Sequence, residues 1–168
     1  MPSGWEKIVS MTKSGMRIIG QMKRKVSRGK RIALLIDGPN ILRKELGVKL
    51  EDIAEALSEI GGDIRVAKVI LNQYAPQGGL IEQSQISFEP IIVSGETGVK
   101  LAVEAMKEIY NPHIDVIALA TRNAEFLPVI LKAKEKGKET VVIGVEPGFS
   151  VALKHAADYT IILGGEEE

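Results

Sequence analysis

Hydrophobic positions along the chain follow two alternating patterns. Short, nearly continuous runs of Val, Ile and Leu predict β-strands buried on both faces, and segments with apolar residues every three to four positions predict amphipathic helices between them. The predicted strands are residues 32–36, 64–71, 90–93, 114–120, 140–145 and 159–163. The predicted helices are residues 50–60, 79–86, 99–110, 124–136 and 150–156. This alternation is typical of a doubly wound α/β domain, a Rossmann-like three-layer sandwich with a mostly parallel sheet.

The N-terminal segment has a different pattern. From Ile8 to Val26, apolar residues recur at spacings of three and four, which predicts an amphipathic N-terminal helix over residues 6–27. The pattern changes abruptly after Lys30. We therefore predict a basic extension at residues 1–30 followed by one compact domain at residues 31–168.

The charge of the chain is unevenly distributed. Residues 1–30 contain eight basic residues and one acid, a formal charge of +7, so the remainder carries −7 within a net charge of zero. A basic arm on an acidic body is typical of proteins that contact nucleic acid or an anionic membrane. A solvated helix face or an unfolded leader would show the same charges, and the sequence leaves these interpretations open.

Composition narrows the class of protein. The 168 residues are 45% hydrophobic and 26% charged, which is typical of a soluble globular protein with one core. The absence of cysteine excludes disulfides and thiolate metal sites and favours a reducing compartment. No apolar stretch is long enough to span a bilayer, and the N-terminus does not resemble a signal peptide. We therefore expect a cytoplasmic protein.

Candidate chemistry lies where the predicted strands end, because doubly wound sheets bind ligands at the carboxyl ends of their strands. Neither Gly-x-Gly-x-x-Gly nor Gly-Lys-Ser/Thr follows the first strand, which argues against ordinary nucleotide cofactors. Asp37 ends that strand, and Asn40 follows it closely. If the predicted strands, counted from residues 32–36, are arranged in the order 3-2-1-4-5, the first and fourth strands are neighbours. Thr121 and the residues after it follow the fourth strand and would therefore face Asp37.

Each of these polar residues also has an ordinary structural interpretation. Asp37 and Asn40 are residue types that cap turns, and Asn123 is a favourable N-cap for the helix that follows it. Glu104, on the helix after the third strand, would face either the same site or solvent. Ser150 is a favourable N-cap for the last helix, whose free N–H groups could also receive a phosphate.

Taken together, these segments resemble the NYN domain, a relative of the PIN-type ribonucleases, in a branch found in archaea. The resemblance covers about residues 31–163 and implies a PIN-like fold. The segments that carry it are residues 36–40, 99–106, 121–128, 137–138, 148–150 and 157–158. It implies metal-dependent cleavage of RNA phosphodiesters, with acids at the strand ends holding Mg²⁺ or Mn²⁺. Asp37 matches the first acid of the family and Asn40 its partner amide.

The chain departs from the family pattern at two positions. Gly98 stands where the family usually has Asp, and Asn123-Ala124-Glu125 stands where it usually has Asp-x-Asp. We therefore expect a weakened site that holds one ion through Asp37, Glu125, Asn123 and water. The candidate catalytic residues are Asp37, Asn40, Asn123 and Glu125. The candidate metal ligands are Asp37, Glu125 and Glu104.

Three functions remain open at this point. The first is an RNA-processing nuclease, and the second is a binding module on a nuclease fold that no longer cuts RNA. The third is an interaction scaffold that docks on a protein partner or a membrane through the N-terminal helix. The sequence also leaves homodimerisation open. The candidate contacts to RNA phosphates are Lys100, Arg122, Ser150, Lys23, Arg24 and Lys25.

Overall fold

An eight-stranded β-sheet organises the computed structural model, which describes residues 6–22, 29–73 and 87–164. The strands are β1 (Glu6–Met11), β2 (Arg17–Met22), β3 (Arg31–Asp37), β4 (Asp63–Asn72), β5 (Glu89–Val93), β6 (Val116–Ala120), β7 (Glu139–Val145) and β8 (Tyr159–Leu163). Their order is β1-β2-β8-β7-β6-β3-β4-β5. Strands β3 to β8 pair in parallel, and β2 pairs antiparallel with both β1 and β8. All six predicted strands are present, and the first and fourth of them, β3 and β6, are neighbours as expected.

Helices cover both faces of the sheet. They are α1 (Gly38–Ile41), α2 (Leu50–Ser58), α3 (Gly98–Ile109), α4 (Leu127–Glu135) and α5 (Val151–Ala156), with 3-10 turns at Lys44–Leu46 and Ala124–Phe126. Leu34 and Ile36 of β3 share one hydrophobic cluster with α2, while Leu35 belongs to a second cluster with α3, α4 and α5. The doubly wound α/β arrangement is therefore confirmed. The predicted helix at residues 79–86 lies outside the described residues.

Residues 6–22 form an antiparallel hairpin, so the predicted helix over residues 6–27 is wrong for this segment. Gly15 lies in the turn with a φ of 94°, which suits glycine. Gly20 sits against Tyr159 of β8, whose hydroxyl would lie 2.5 Å from an added Cβ. Glycines disfavour a helix by about 1 kcal/mol each, and pairing with β8 offers the backbone hydrogen bonds of a strand instead. Pairing with the edge of the sheet therefore decides the structure of this segment, although its apolar spacing of three and four also fits a helix.

The turn of this hairpin contacts the acidic side of α2. The hydroxyl of Ser14 donates to Asp52 Oδ1 at 2.6 Å, and the backbone N–H of Lys13 donates to Glu55 Oε2 at 3.0 Å. These bonds, with the pairing of β2 and β8, attach residues 6–22 to the sheet. The division of the chain after Lys30 stays a prediction. Across the described ranges, no helix is long and apolar enough to cross a membrane.

Candidate functional site

Asp37, the last residue of β3, is a fully buried carboxylate. Its Oδ2 accepts hydrogen bonds from Asn40 Nδ2 at 2.6 Å and from the Thr121 hydroxyl at 2.8 Å. Its Oδ1 has no partner in hydrogen-bonding geometry within the described part of the chain, although the Thr97 side chain is close enough to the carboxyl to lower its pKa. Burial raises the pKa of Asp37, while Asn40, Thr121, Thr97 and the charge of Arg122 act in the opposite direction. The side chain is therefore fixed through Oδ2, whereas Oδ1 accepts no hydrogen bond from the described residues.

The backbone after β3 turns sharply enough to return Asn40 to Asp37. A Cβ at Gly38 would lie 2.5 Å from the carbonyl oxygen of Ile70, so glycine allows α1 to begin against β4. Pro39 lies in the first turn of α1, where its missing N–H leaves no hydrogen bond unmade. Asn40 then reaches Asp37 within the same short helix.

The segment after β6 completes the surroundings of Asp37. The backbone N–H of Thr121 donates to the carbonyl of Ile143 in β7 at 3.0 Å, and its hydroxyl donates to Asp37. That hydroxyl also accepts from the N–H of Asn123 at 3.2 Å. The adjacency of β3 and β6 thus joins Asp37 to Thr121, which was noted in the sequence but not counted among the site residues.

Asn123 and Glu125 occupy the same turn with different roles. The side chain of Asn123 accepts from the N–H of Glu125 at 3.1 Å, so it caps the 3-10 turn Ala124–Phe126. Glu125 is exposed, and its Oε1 would lie 3.0 Å from a Cβ at Gly98. The glycine at position 98 therefore leaves space that the Glu125 carboxylate approaches.

Two adjoining clefts open at this edge of the sheet, and both are lined by Asn40 and Asn123. The first, of about 510 Å³, is also lined by Arg122, Gly148 and Ser150. The second, of about 340 Å³, is also lined by Glu96, Thr97, Gly98 and Glu125. Sequence reasoning missed Glu96 and Thr97, which lie just after the end of β5. Applying the strand-end rule to that strand would have found them.

Glu104 lies in a separate cluster of lysines. Its carboxylate is 2.8 Å from the Nζ of Lys68, 2.9 Å from that of Lys107 and 3.2 Å from that of Lys100. Burial acts to raise the pKa of Glu104, but hydrogen bonds from these lysines lower it to about 2. Lys68 pairs in register with Leu35, two residues before the end of β3. The contacts of Glu104 and Lys100 are with each other and with neighbouring lysines, so the structure does not join either residue to the Asp37 group.

Of the remaining residues predicted to contact RNA, one lines the larger cleft and three lie outside the described residues. Ser150 is the N-cap of α5, where its hydroxyl accepts from the N–H of Leu153 at 3.3 Å, and it also lines the larger cleft. Lys23, Arg24 and Lys25 lie outside the described residues.

A divalent cation requires several oxygen donors close together. Within residues 6–22, 29–73 and 87–164, no three His, Asp or Glu side chains group closely enough to hold a metal. The set of several carboxylates implied by the family resemblance is therefore not met. The buried Asp37 carboxylate and the exposed Glu125 carboxylate beside the smaller cleft are oxygen donors of the kind that Mg²⁺ and Mn²⁺ prefer.

A family model described as NYN domain matches residues 31–164. The chain belongs to the NYN domain family. The NYN family is of the PIN-like nuclease type. An uncharacterized protein of Methanocaldococcus jannaschii is 49% identical over 162 residues, which cover 96% of this chain and 65% of that protein's length. This agrees with the archaeal branch expected from the sequence.

The NYN fold is also similar to a solved structure. A crystal structure of a protein of unknown function from Vibrio parahaemolyticus matches with a TM-score of 0.62 and 15% sequence identity, covering 86% of this chain and 98% of that chain. At this identity, the likeness concerns the fold alone.

Proposed function

We propose that this NYN domain protein binds RNA and cleaves its phosphodiester bonds at the Asp37 edge of the sheet, with one divalent cation. The observation that carries the proposal is the fully buried Asp37 carboxylate whose Oδ1 has no partner among described residues. A buried polar atom left unpaired costs roughly 1–3 kcal/mol, so a folded protein tends to keep one where a ligand satisfies it.

Asn40 and Thr121 orient the Asp37 carboxylate. Both donate to Oδ2, so the orientation that leaves Oδ1 unpaired is fixed before any ligand arrives. Asp37 and Glu125 would hold Mg²⁺ or Mn²⁺, with water completing the coordination. An ion held there would supply polarisation of a phosphate oxygen and activation of a water molecule. A bound cation would also lower the pKa of Asp37, which burial raises.

The site is weaker than the family pattern implies. Gly98 carries no carboxylate, and the Asn123 side chain accepts from Glu125 N–H as a helix cap. The attraction between two opposite unit charges 4 Å apart is about 4 kcal/mol at an effective dielectric constant near 20, and it is larger for a divalent ion. The absence of acids at these two positions therefore implies weak cation binding and slow cleavage.

A binding module that does not cleave is the second candidate. The observation that favours it is the absence of three grouped metal-ligating side chains among the residues that the structure describes. In that case, lysines and arginines of the N-terminal segment and the strand ends hold RNA phosphates without chemistry. A scaffold docking through an N-terminal helix loses its premise, because residues 6–22 form strands.

RNA cleavage by matched aspartate variants tests the proposal. Labelled single-stranded RNA is incubated with the purified protein, with Asp37→Asn and with Asp63→Asn, each with Mn²⁺, with Mg²⁺ or with chelator. Asp63 is a matched surface control, because it pairs with Arg65 at the other end of β4. We expect cleavage by the unmodified protein and Asp63→Asn only, and only with a metal ion. Equal cleavage by Asp37→Asn would point to a contaminating nuclease, and RNA binding without cleavage would favour the binding module.

A further inference from the structure

Arg122 is held rigidly at the wall of the larger cleft. Its Nε donates to the carbonyl oxygen of Asn40 at 3.2 Å, and its Nη1 donates to that of Pro147 at 2.7 Å. Its own carbonyl oxygen accepts from the N–H of Ser150 at 3.1 Å. The guanidinium thus joins the segments that follow β3, β6 and β7. Its orientation is set by folding, so a ligand need not immobilise a flexible side chain.

Among the described residues, Arg122 has no ion-pair partner within 4.0 Å, and its charge acts on the Asp37 carboxyl from farther away. Arg31, Arg43 and Arg65 lie 3.0 Å, 3.7 Å and 2.9 Å from an acidic oxygen. Over the described ranges, Arg122 has only the two neutral carbonyls as side-chain partners and no acid within 4.0 Å. A guanidinium has five N–H groups, so donors remain after these two bonds, in the planar arrangement that suits an oxyanion.

The two clefts differ in charge. Among described residues, Arg122 is the charged residue that lines the larger cleft, whereas Glu96 and Glu125 line the smaller one. Asn40 and Asn123 line both, so the two clefts adjoin. A cation and an anion would therefore find favourable surroundings side by side at this edge.

We propose that the Arg122 cleft is a subsite for one RNA phosphate, a neighbour along the strand of the phosphate at Asp37. This inference rests on the proposed function, since it takes RNA as the ligand. It adds the position of a second contact, which is made by a positive charge. Arg122 binds the phosphate oxygens directly, Ser150 and Gly148 border it, and metal at Asp37 is not needed for this contact. In the competing account, Arg122 only holds the segments around it together and does not bind phosphate. The experiments below distinguish phosphate binding from this structural role.

A pair of substitutions at Ser150 changes the charge of the cleft without removing the helix cap. Asp and Asn are both good N-caps, so Ser150→Asp and Ser150→Asn keep the start of α5 and differ by one negative charge. Binding of a fluorescent single-stranded oligoribonucleotide is measured by polarisation in chelator. We expect Ser150→Asp to bind at least fivefold more weakly than Ser150→Asn, because its carboxylate competes for Arg122 and repels phosphate.

The salt dependence of binding provides the second measurement. Loss of one phosphate contact to a single strand reduces the slope of log K against log salt by about 0.7. We expect that reduction for Arg122→Gln and the unmodified slope for Arg65→Gln, the exposed control. Thermal unfolding of each variant reports whether it is folded. If Arg122→Gln does not fold, the Ser150 pair decides alone.

Three outcomes would contradict the inference in distinguishable ways. Equal binding by Ser150→Asp and Ser150→Asn contradicts the subsite and leaves RNA as the ligand. If folded Arg122→Gln has the same salt slope as the unmodified protein, the subsite is also contradicted, and Arg122 only holds the neighbouring segments together. No RNA retention by the unmodified protein overturns the proposed function together with the subsite.

Discussion

Asp37 and Glu104 are both almost fully buried acids, yet their surroundings are opposite. Glu104 is bonded to three lysines, and its pKa is about 2. Asp37 receives two neutral donors on one oxygen, has none on the other among described residues, and has a raised pKa. The difference shows that burial alone does not mark a functional acid. The acid that is compensated by lysines supports the fold, and the incompletely paired Asp37 is the acid that we propose as a cation ligand.

The largest effect on stability is expected at Glu104. Glu104→Gln removes the carboxylate nearest to Lys68, whose side chain is 13% exposed, and leaves it the more distant Glu108 carboxylate at 3.7 Å. Removing one partner of a buried ion pair is strongly destabilising, and we expect a loss of about 3 kcal/mol in the free energy of unfolding. Urea unfolding measures it. Glu135→Gln, which removes the exposed partner of Lys132, is the control and should change stability by less than about 1 kcal/mol.

A smaller gain is expected when a carboxylate is restored at position 98. Gly98→Asp places an acid at the start of α3, where it is also favourable to the helix, and Glu125 need move only slightly to admit it. We expect Mn²⁺ to bind at least about tenfold more tightly, an effect of about 1.4 kcal/mol. Titration calorimetry measures the affinity, and Gly98→Asn is the uncharged control. Equal affinities for the two variants would show that position 98 does not face the ion.

Neutralising Asp37 is expected to change stability little, in contrast to Glu104. Asp37→Asn removes a buried charge, keeps an oxygen for Asn40 and Thr121, and creates at most one unsatisfied amide. We expect the free energy of unfolding to change by about 1 kcal/mol or less at neutral pH. A loss comparable with that of Glu104→Gln would contradict the contrast between the two acids.

The two acids should give opposite dependences of stability on pH. The folded pKa of Glu104 lies below its ordinary value of 4.5, so its stabilisation is present above that value and is lost as pH falls towards about 2. The folded pKa of Asp37 lies above its ordinary value of 3.8, so its contribution is most favourable below that value and declines as pH rises through the folded pKa. Unfolding of the unmodified protein, Glu104→Gln and Asp37→Asn from pH 2 to 7 measures both. Parallel curves for the two variants would contradict the assignment.

Much of the fold could be predicted because the parallel strands are buried on both faces and have uninterrupted apolar runs. The order of these strands followed from the α/β pattern and correctly placed Thr121 beside Asp37. The hairpin at residues 6–22 could not be predicted in this way, because its apolar spacing also fits a helix. The pairing edge of β8 decides between the two, and it exists only in the folded sheet.

The contact between Asp37 and Asn40 could be predicted from the sequence, whereas the contact of Glu104 with Lys68 could not. Asp37 and Asn40 are near neighbours in sequence, so their convergence could be anticipated. Lys100 and Lys107 lie four residues before and three after Glu104 on one helix, which is a signal that sequence reasoning could have used. Lys68 comes from β4, and only tertiary packing brings it to Glu104.

Binding of Mn²⁺ tests most directly whether the buried carboxylate of Asp37 takes a cation. Titration calorimetry would compare the unmodified protein with Asp37→Asn and with Asp63→Asn, without RNA. We predict one bound ion for the unmodified protein and for Asp63→Asn, and no measurable binding for Asp37→Asn. Equal binding by Asp37→Asn, or no binding by any of the three proteins, would contradict the assignment of Asp37 as the cation ligand.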